Sequence, residues 1–139
     1  KIFMNQRLLF LLFFISCSFF SFSQDWVYIG NDSGGDKYSM KYNDATDLLG
    51  NKKIWVKQES KNLKYIKKDK SYNILNGYSM NLIAFDCSAR QIQLIRTIYY
   101  TSKGSVVYEP DLSLYQWKWK DVTPERMDEF ILDKACTLF

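Results

Sequence analysis

From residue 26 to residue 109 the chain runs in short aromatic and β-branched stretches, most of them closed by a turn signal, and this punctuation favours antiparallel strands. The clearest stretch is 37–43, where Tyr38, Met40 and Tyr42 alternate with Lys37, Ser39 and Lys41. Successive strand side chains point to opposite faces, so this period of two puts one set on a core and leaves the other in water. Residues 25–30 are apolar on both sides and read as a central or covered strand, paired with 37–43 across Gly34-Gly35. Residues 54–58 read as a third strand. Residues 79–87, 90–101 and 105–109 read as a three-strand meander, entered through a turn at Asn76-Gly77 and folded back at 101–104. Between them, 60–76 is rich in lysine and loses its periodicity, which predicts a mobile excursion with a short strand near 72–75.

Thr123-Pro124-Glu125 then supplies an N-cap residue, a proline for the first helical position and an acid for the positive end of the helix dipole. Met127, Phe130, Ile131 and Ala135 recur at helical spacing and define the face expected to meet a sheet. Cys136 would point away from that face in an unbroken helix, so the helix is expected to stop near Asp133 or Lys134. The fold class that follows is α+β: an antiparallel sheet of about five or six strands with a C-terminal helix packed on one side.

The opening residues are of another kind. Lys1 and Arg7 precede an apolar run from 8 to 20, and Ser21-Phe22-Ser23 places small residues where a signal peptidase reads them. Residues 1–23 are therefore expected to be a signal peptide cut before Gln24, leaving 24–139 as one domain. A transmembrane anchor would need roughly 20 apolar residues and flanking basic residues, and the run falls short. A lipid anchor on Cys17 competes, but only Ser16 of Phe14-Ile15-Ser16 fits the pattern for acylation, and an apolar segment follows instead of a polar tether. The net charge of +4 falls to +2 once Lys1 and Arg7 are removed, which argues against nucleic acid as the partner. Export also removes Cys17. Cys87 and Cys136 remain as the one pair available to an oxidising compartment, with two free buried thiols as the alternative.

No histidine occurs, which removes Ser–His and Cys–His nucleophiles, His-ligated zinc and His-ligated haem, and no cofactor is expected. The acids are scattered. Asp86 and Glu125 are the ones an acid–base or inhibitory site would use, with no cue that they converge. The sharpest charge feature is Lys52, Lys53, Lys57, Lys61, Lys64, Lys67, Lys68 and Lys70, set against Glu59 and Asp69, with Trp55, Tyr65 and Tyr72 interleaved. Such a segment suits an acidic protein, an anionic glycan or lipid headgroups; it also suits a solvated loop that keeps a sheet edge soluble. Tyr115, Trp117 and Trp119 alternate as a strand face would, either as a stacking surface or as core beneath the helix.

Taken in order, the signal peptide, Trp26-Val27-Tyr28, Ile54-Trp55-Val56, Asp86-Cys87 with Arg90 close behind, the hairpin across Gly104, Trp119, Pro124 and Cys136 resemble the bacterial surface-adhesin protein E-like family. The resemblance implies a secreted or envelope-associated antiparallel sheet, a disulfide from Cys87 to Cys136, no enzymatic activity, and adhesion through extracellular-matrix proteins. It assigns no binding residue here. The expected function is an exported, non-catalytic binding module that contacts an extracellular-matrix or envelope protein or an anionic glycan through the lysine segment. A structural or accessory envelope protein is the alternative.

Overall fold

Period two is realised along most of the chain. The computed structural model describes residues 26–46, 50–112 and 118–139, and among these it contains nine strands and one helix. The expected signal peptide and its cleavage site, together with Tyr115 and Trp117, lie outside the described residues. The strands are β1 (Val27–Asn31), β2 (Lys37–Thr46), β3 (Lys52–Glu59), β4 (Asn62–Lys67), β5 (Lys70–Leu75), β6 (Tyr78–Asp86), β7 (Gln91–Tyr100), β8 (Val106–Tyr108) and β9 (Lys120–Asp121); the helix is α1 (Met127–Leu138). Seven strands form one antiparallel sheet in the order β1-β2-β3-β6-β7-β8, with β9 pairing on β7, while β4 and β5 pair only with each other. The sheet is wider than the five or six strands expected because β8 and β9, of three and two residues, add short edges.

Register assigns every side chain a face. Tyr38, Met40 and Tyr42 stand opposite Gln58, Val56 and Ile54, which stand opposite Ser79, Asn81 and Ile83. On this face Met40, Ile54, Val56 and Phe85 are buried and form the core with Ile29 and with Ile131, Leu132 and Ala135 of α1. Burying a leucine or isoleucine side chain in this way contributes about 1.5–3 kcal/mol. Further along the same face the sheet turns polar. The Thr97 hydroxyl donates to Asn81 Oδ1 at 2.9 Å, and Asn81 Nδ2 donates to Ser79 Oγ at 3.1 Å, so the buried Ser79 and Thr97 satisfy one another through Asn81.

β1 is an edge strand rather than a covered one. Its burial is confined to Ile29, at the point where a bulge breaks the β1–β2 register, and Val27 and Tyr28 are exposed. The helix also departs from expectation at both ends. Thr123-Pro124-Glu125 forms a turn ahead of it, in which Glu125 takes a left-handed φ of 62° and interrupts helical geometry. Asp128 and Glu129 reach back to accept from the Thr123 and Glu125 amides at 2.9 Å each. At the other end α1 continues past Lys134 to Leu138 with Cys136 inside it. The buried face is centred on Leu132 and Ala135 rather than on Phe130, which is exposed, and Cys136 follows Leu132 by four residues and shares its side. The helix therefore has no need to end for the bridge to form.

That bridge is the Cys87–Cys136 disulfide, with Cα atoms 5.8 Å apart and 49 residues of separation. It ties the end of β6 to the last turns of α1. Beside it Arg90 donates to Glu129 at 3.1 Å and to Asp133 at 3.0 Å, two exposed pairs of small individual value. Closing a loop of this length removes on the order of 4 kcal/mol of unfolded-state entropy. A Cys87→Ser, Cys136→Ser double variant is thus expected to lose about 4 kcal/mol in urea unfolding. A loss below about 1 kcal/mol would mean that the apolar face alone holds the helix.

Candidate functional site

The lysine segment expected to be a mobile excursion is a folded hairpin. β3 and β6 pair up to Glu59 and Tyr78; the Ser60 amide then donates to the Gly77 carbonyl and the Asn76 amide to the Lys61 carbonyl, and pairing resumes at Asn62 and Leu75. β3–β4 and β5–β6 are therefore the two sides of one long ribbon, bent at 60–61 and 76–77. Asn76 lies in the left-handed region with φ 51°. Gly77 is required by space: a Cβ there would stand 2.5 Å from Ile74 Cγ2 and 2.8 Å from the Tyr100 carbonyl oxygen.

Beyond the bend, alternation sorts the hairpin. Leu63 faces Ile74 and Tyr65 faces Tyr72 across the strands, and Leu63 and Ile74 are buried. Tyr65 stacks on Tyr72 at 5.3 Å and meets the rings of Tyr99 and Tyr108 at 5.3 Å each. Tyr99 is opposite Ser79 in register, so this tyrosine cluster sits on the same sheet face as α1, beyond the polar row. Aromatic pairs of this kind contribute about 0.5–1.5 kcal/mol beyond the area they bury. The Lys68-Asp69 loop holds both residues at positive φ, 49° and 60°, as a two-residue hairpin demands; Asp69 is of a type that tolerates it and Lys68 is not.

The eight candidate lysines divide into two groups. Lys52, Lys53 and Lys57 belong to β3 in the main sheet and are half-buried. Lys57 is committed: its Nζ lies 2.7 Å from Glu59 Oε1 and 4.6 Å above the Tyr78 ring. Lys61, Lys64, Lys67, Lys68 and Lys70 lie at the base, sides and tip of the hairpin and are all exposed, with Lys67 5.3 Å above the Tyr108 ring. Between Asn62 and Leu75 four lysines face a single acid, Asp69. The same stretch exposes Ile66 and Leu75 to 70% and 74%. The result is a cationic projection with aliphatic contact area, fixed to the sheet by tyrosines.

The other residues singled out from sequence do not converge with it or with each other. Asp86 accepts from the Ser88 and Ala89 amides at 3.0 and 2.8 Å and so closes the β6–β7 turn. Glu125 is exposed ahead of α1, and Trp119 is half-buried just before β9. Among the described residues there is no group of three or more His, Cys, Asp or Glu placed to hold a metal ion. The sequence reading left out the tyrosine platform and, within the turn 31–36 that it did mark, the bracing by Asp32 and Asp36. In that turn Asp32 accepts from the Gly34 and Asp36 amides at 2.9 and 3.0 Å and from the Tyr38 hydroxyl at 3.1 Å, while Gln58 donates to Asp36 at 2.8 Å.

A family model described as surface-adhesin protein E matches residues 26–137, from just before β1 to the last turn of α1. The chain belongs to the surface-adhesin protein E family. Membership carries an adhesin-like role in general terms, non-enzymatic and exercised at the cell surface or beyond it. No curated protein and no solved structure matches. Among the described residues no helix is long and apolar enough to cross a membrane.

The braced turn gives this family member a pH signature. Burial, and then the Asp32 carboxylate that accepts its proton, push the Tyr38 hydroxyl far above the usual tyrosine range. The folded state thus holds this proton more tightly than the unfolded chain. The stability it confers is complete below the unfolded value near 10 and is lost as pH rises above it. Urea unfolding between pH 8 and pH 11.5 should show stability falling above about pH 10, and Tyr38→Phe should make that decline shallower. An unchanged decline in the variant would remove Tyr38 as its source.

Proposed function

We propose that this chain is an exported, non-catalytic binding module of the surface-adhesin type whose principal contact is the β4–β5 hairpin, and that the hairpin engages an acidic macromolecule. The observation that carries this reading is the docking of the lysine segment. A cationic loop free in solution would have to be ordered on binding, at a cost in conformational entropy for every residue fixed. Here Tyr65, Leu63 and Ile74 hold the strands in place, so Lys64, Lys67, Lys68 and Lys70 are offered on a preformed support.

Two further observations support placement outside the cytosol: the Cys87–Cys136 disulfide, a bond that persists under oxidising conditions, and the family itself. The apolar run followed by Ser21-Phe22-Ser23 supplies the means of export, with cleavage before Gln24. The partners that fit are an extracellular-matrix or envelope protein with an acidic surface, or an anionic glycan.

Exposed ion pairs contribute about 0.2–1 kcal/mol each, and surface charges farther apart than about 8 Å are screened at physiological salt. Several lysines must therefore touch the ligand together, and binding must weaken steeply with salt. A Lys64→Gln, Lys67→Gln, Lys68→Gln, Lys70→Gln variant is expected to lose at least about tenfold in affinity for immobilised acidic polymers, to flatten the salt dependence, and to keep its thermal midpoint. Retention on those polymers equal to that of the unsubstituted chain would rule the hairpin out as the contact.

A further inference from the structure

On the sheet face turned away from α1, the bend in the ribbon leaves a cleft of about 400 Å³. Register places its charged residues together. Lys37 at the start of β2 is directly opposite Glu59, Lys57 is two residues before Glu59 on β3, and Tyr78 is opposite Glu59 on β6. Lys61, Ser60 and Ser102 complete the rim. Three lysines and one carboxylate therefore share the cleft, and Lys57 occupies that carboxylate at 2.7 Å. Among the described residues Lys37 and Lys61 have no acidic partner.

Both walls are rigid. Lys37 follows the turn braced by Asp32 and Gln58, and Lys61 lies at the bend whose partner strand is fixed by Gly77. Tyr78 is immobilised by stacking on Tyr100 at 4.8 Å with Lys57 above its ring. Lys37 and Lys61 are exposed, and these contacts fix the backbone from which both side chains start at the cleft.

The lining also discriminates among anions. It includes no Val, Leu, Ile, Met or Phe, and its one ring, Tyr78, is already stacked on Tyr100 and covered by Lys57, so an aliphatic anchor from a protein partner would find little to bury against. It does offer the Ser102 hydroxyl, the Asn76 side-chain amide and Ser60, whose Oγ accepts from the Asn62 amide at 3.2 Å and keeps its own proton to donate. Hydroxyl and amide groups beside two unspent ammonium charges match a ligand that carries both hydroxyls and an anionic group. Lys61 sits at the bend that leads into β4, so the cleft adjoins the base of the hairpin.

We propose that this cleft seats an acidic sugar residue of a linear anionic polysaccharide, with Lys37 and Lys61 as the groups that recognise its carboxylate or sulfate; the assignment rests on the hairpin reading above and narrows its partner to a glycan. The test compares the exported chain with Lys37→Gln, Lys61→Gln and with the four-lysine hairpin variant. Each is titrated calorimetrically with alginate oligosaccharides, poly-glutamate of equal charge, and free glucuronate. The expected result is alginate binding weakened about tenfold in Lys37→Gln, Lys61→Gln at unchanged thermal midpoint, a salt slope reduced by about one per lysine removed, and a smaller effect on poly-glutamate. Alginate binding unaltered in that variant but lost in the hairpin variant would overturn the cleft and leave the hairpin reading standing. Binding unaltered in both would overturn both. Poly-glutamate held as tightly as alginate and equally weakened would make the ligand an acidic protein, and free glucuronate held as tightly as the oligosaccharide would make it a small anion; either would overturn the polysaccharide assignment.

Discussion

The close approach of Gly77 to the Tyr100 carbonyl is the constraint on which the functional half of this molecule depends. A two-stranded ribbon leaving the middle of a sheet would ordinarily project into solvent, and two strands alone are marginal in water. Here the ribbon bends where one strand lacks a Cβ and the neighbouring Asn76 adopts a left-handed conformation. The bend brings Tyr65 onto Tyr99 and Tyr108, and the outer end of the ribbon acquires a third partner.

The two covers of the sheet face are consequently independent. α1 closes one end over Met40, Val56 and Phe85 and is fixed by the disulfide; the hairpin closes the other over tyrosines. Ser79, Asn81 and Thr97 lie between them as a self-satisfied polar row that belongs to neither apolar cluster. Substitutions on the hairpin surface can therefore change charge without disturbing the core. On the reverse face, the bend at Ser60-Lys61 and Asn76-Gly77 lines the lysine cleft together with Lys37, Tyr78 and Ser102.

Much of this was legible in the sequence. Alternation at Tyr38, Met40 and Tyr42 gave the face of β2, the Asn76-Gly77 pair marked the return into β6, and the lone cysteines gave the bridge. Three elements were misread for physical reasons. β1 looked covered because its apolar residues fall on both sides, yet it is an edge where a bulge at Ile29 turns one residue inward and leaves Tyr28 outside. The helix face was drawn without Leu132, which displaced Cys136 to the wrong side. The hairpin was missed because Lys68-Asp69 carries no Asn-Gly signal and because lysines mask the period. The signal that remained was symmetry: Leu63 and Tyr65 mirror Ile74 and Tyr72 about that loop, and matched apolar positions on either side of a two-residue centre are what a hairpin needs. The cleft was beyond sequence reading, since Lys37 and Lys61 become neighbours only through the β2–β3 register.

The central claim is that the lysine segment is a docked, hydrogen-bonded hairpin, and native-state amide hydrogen exchange tests it most directly. The amides of β4 and β5 that pair across the hairpin should exchange through an opening distinct from, and easier than, that of β3 and β6, but still be slowed by at least about a hundredfold relative to a free peptide. Exchange of these amides at free-peptide rates, with β3 and β6 protected, would return the segment to a mobile loop and remove the preformed surface.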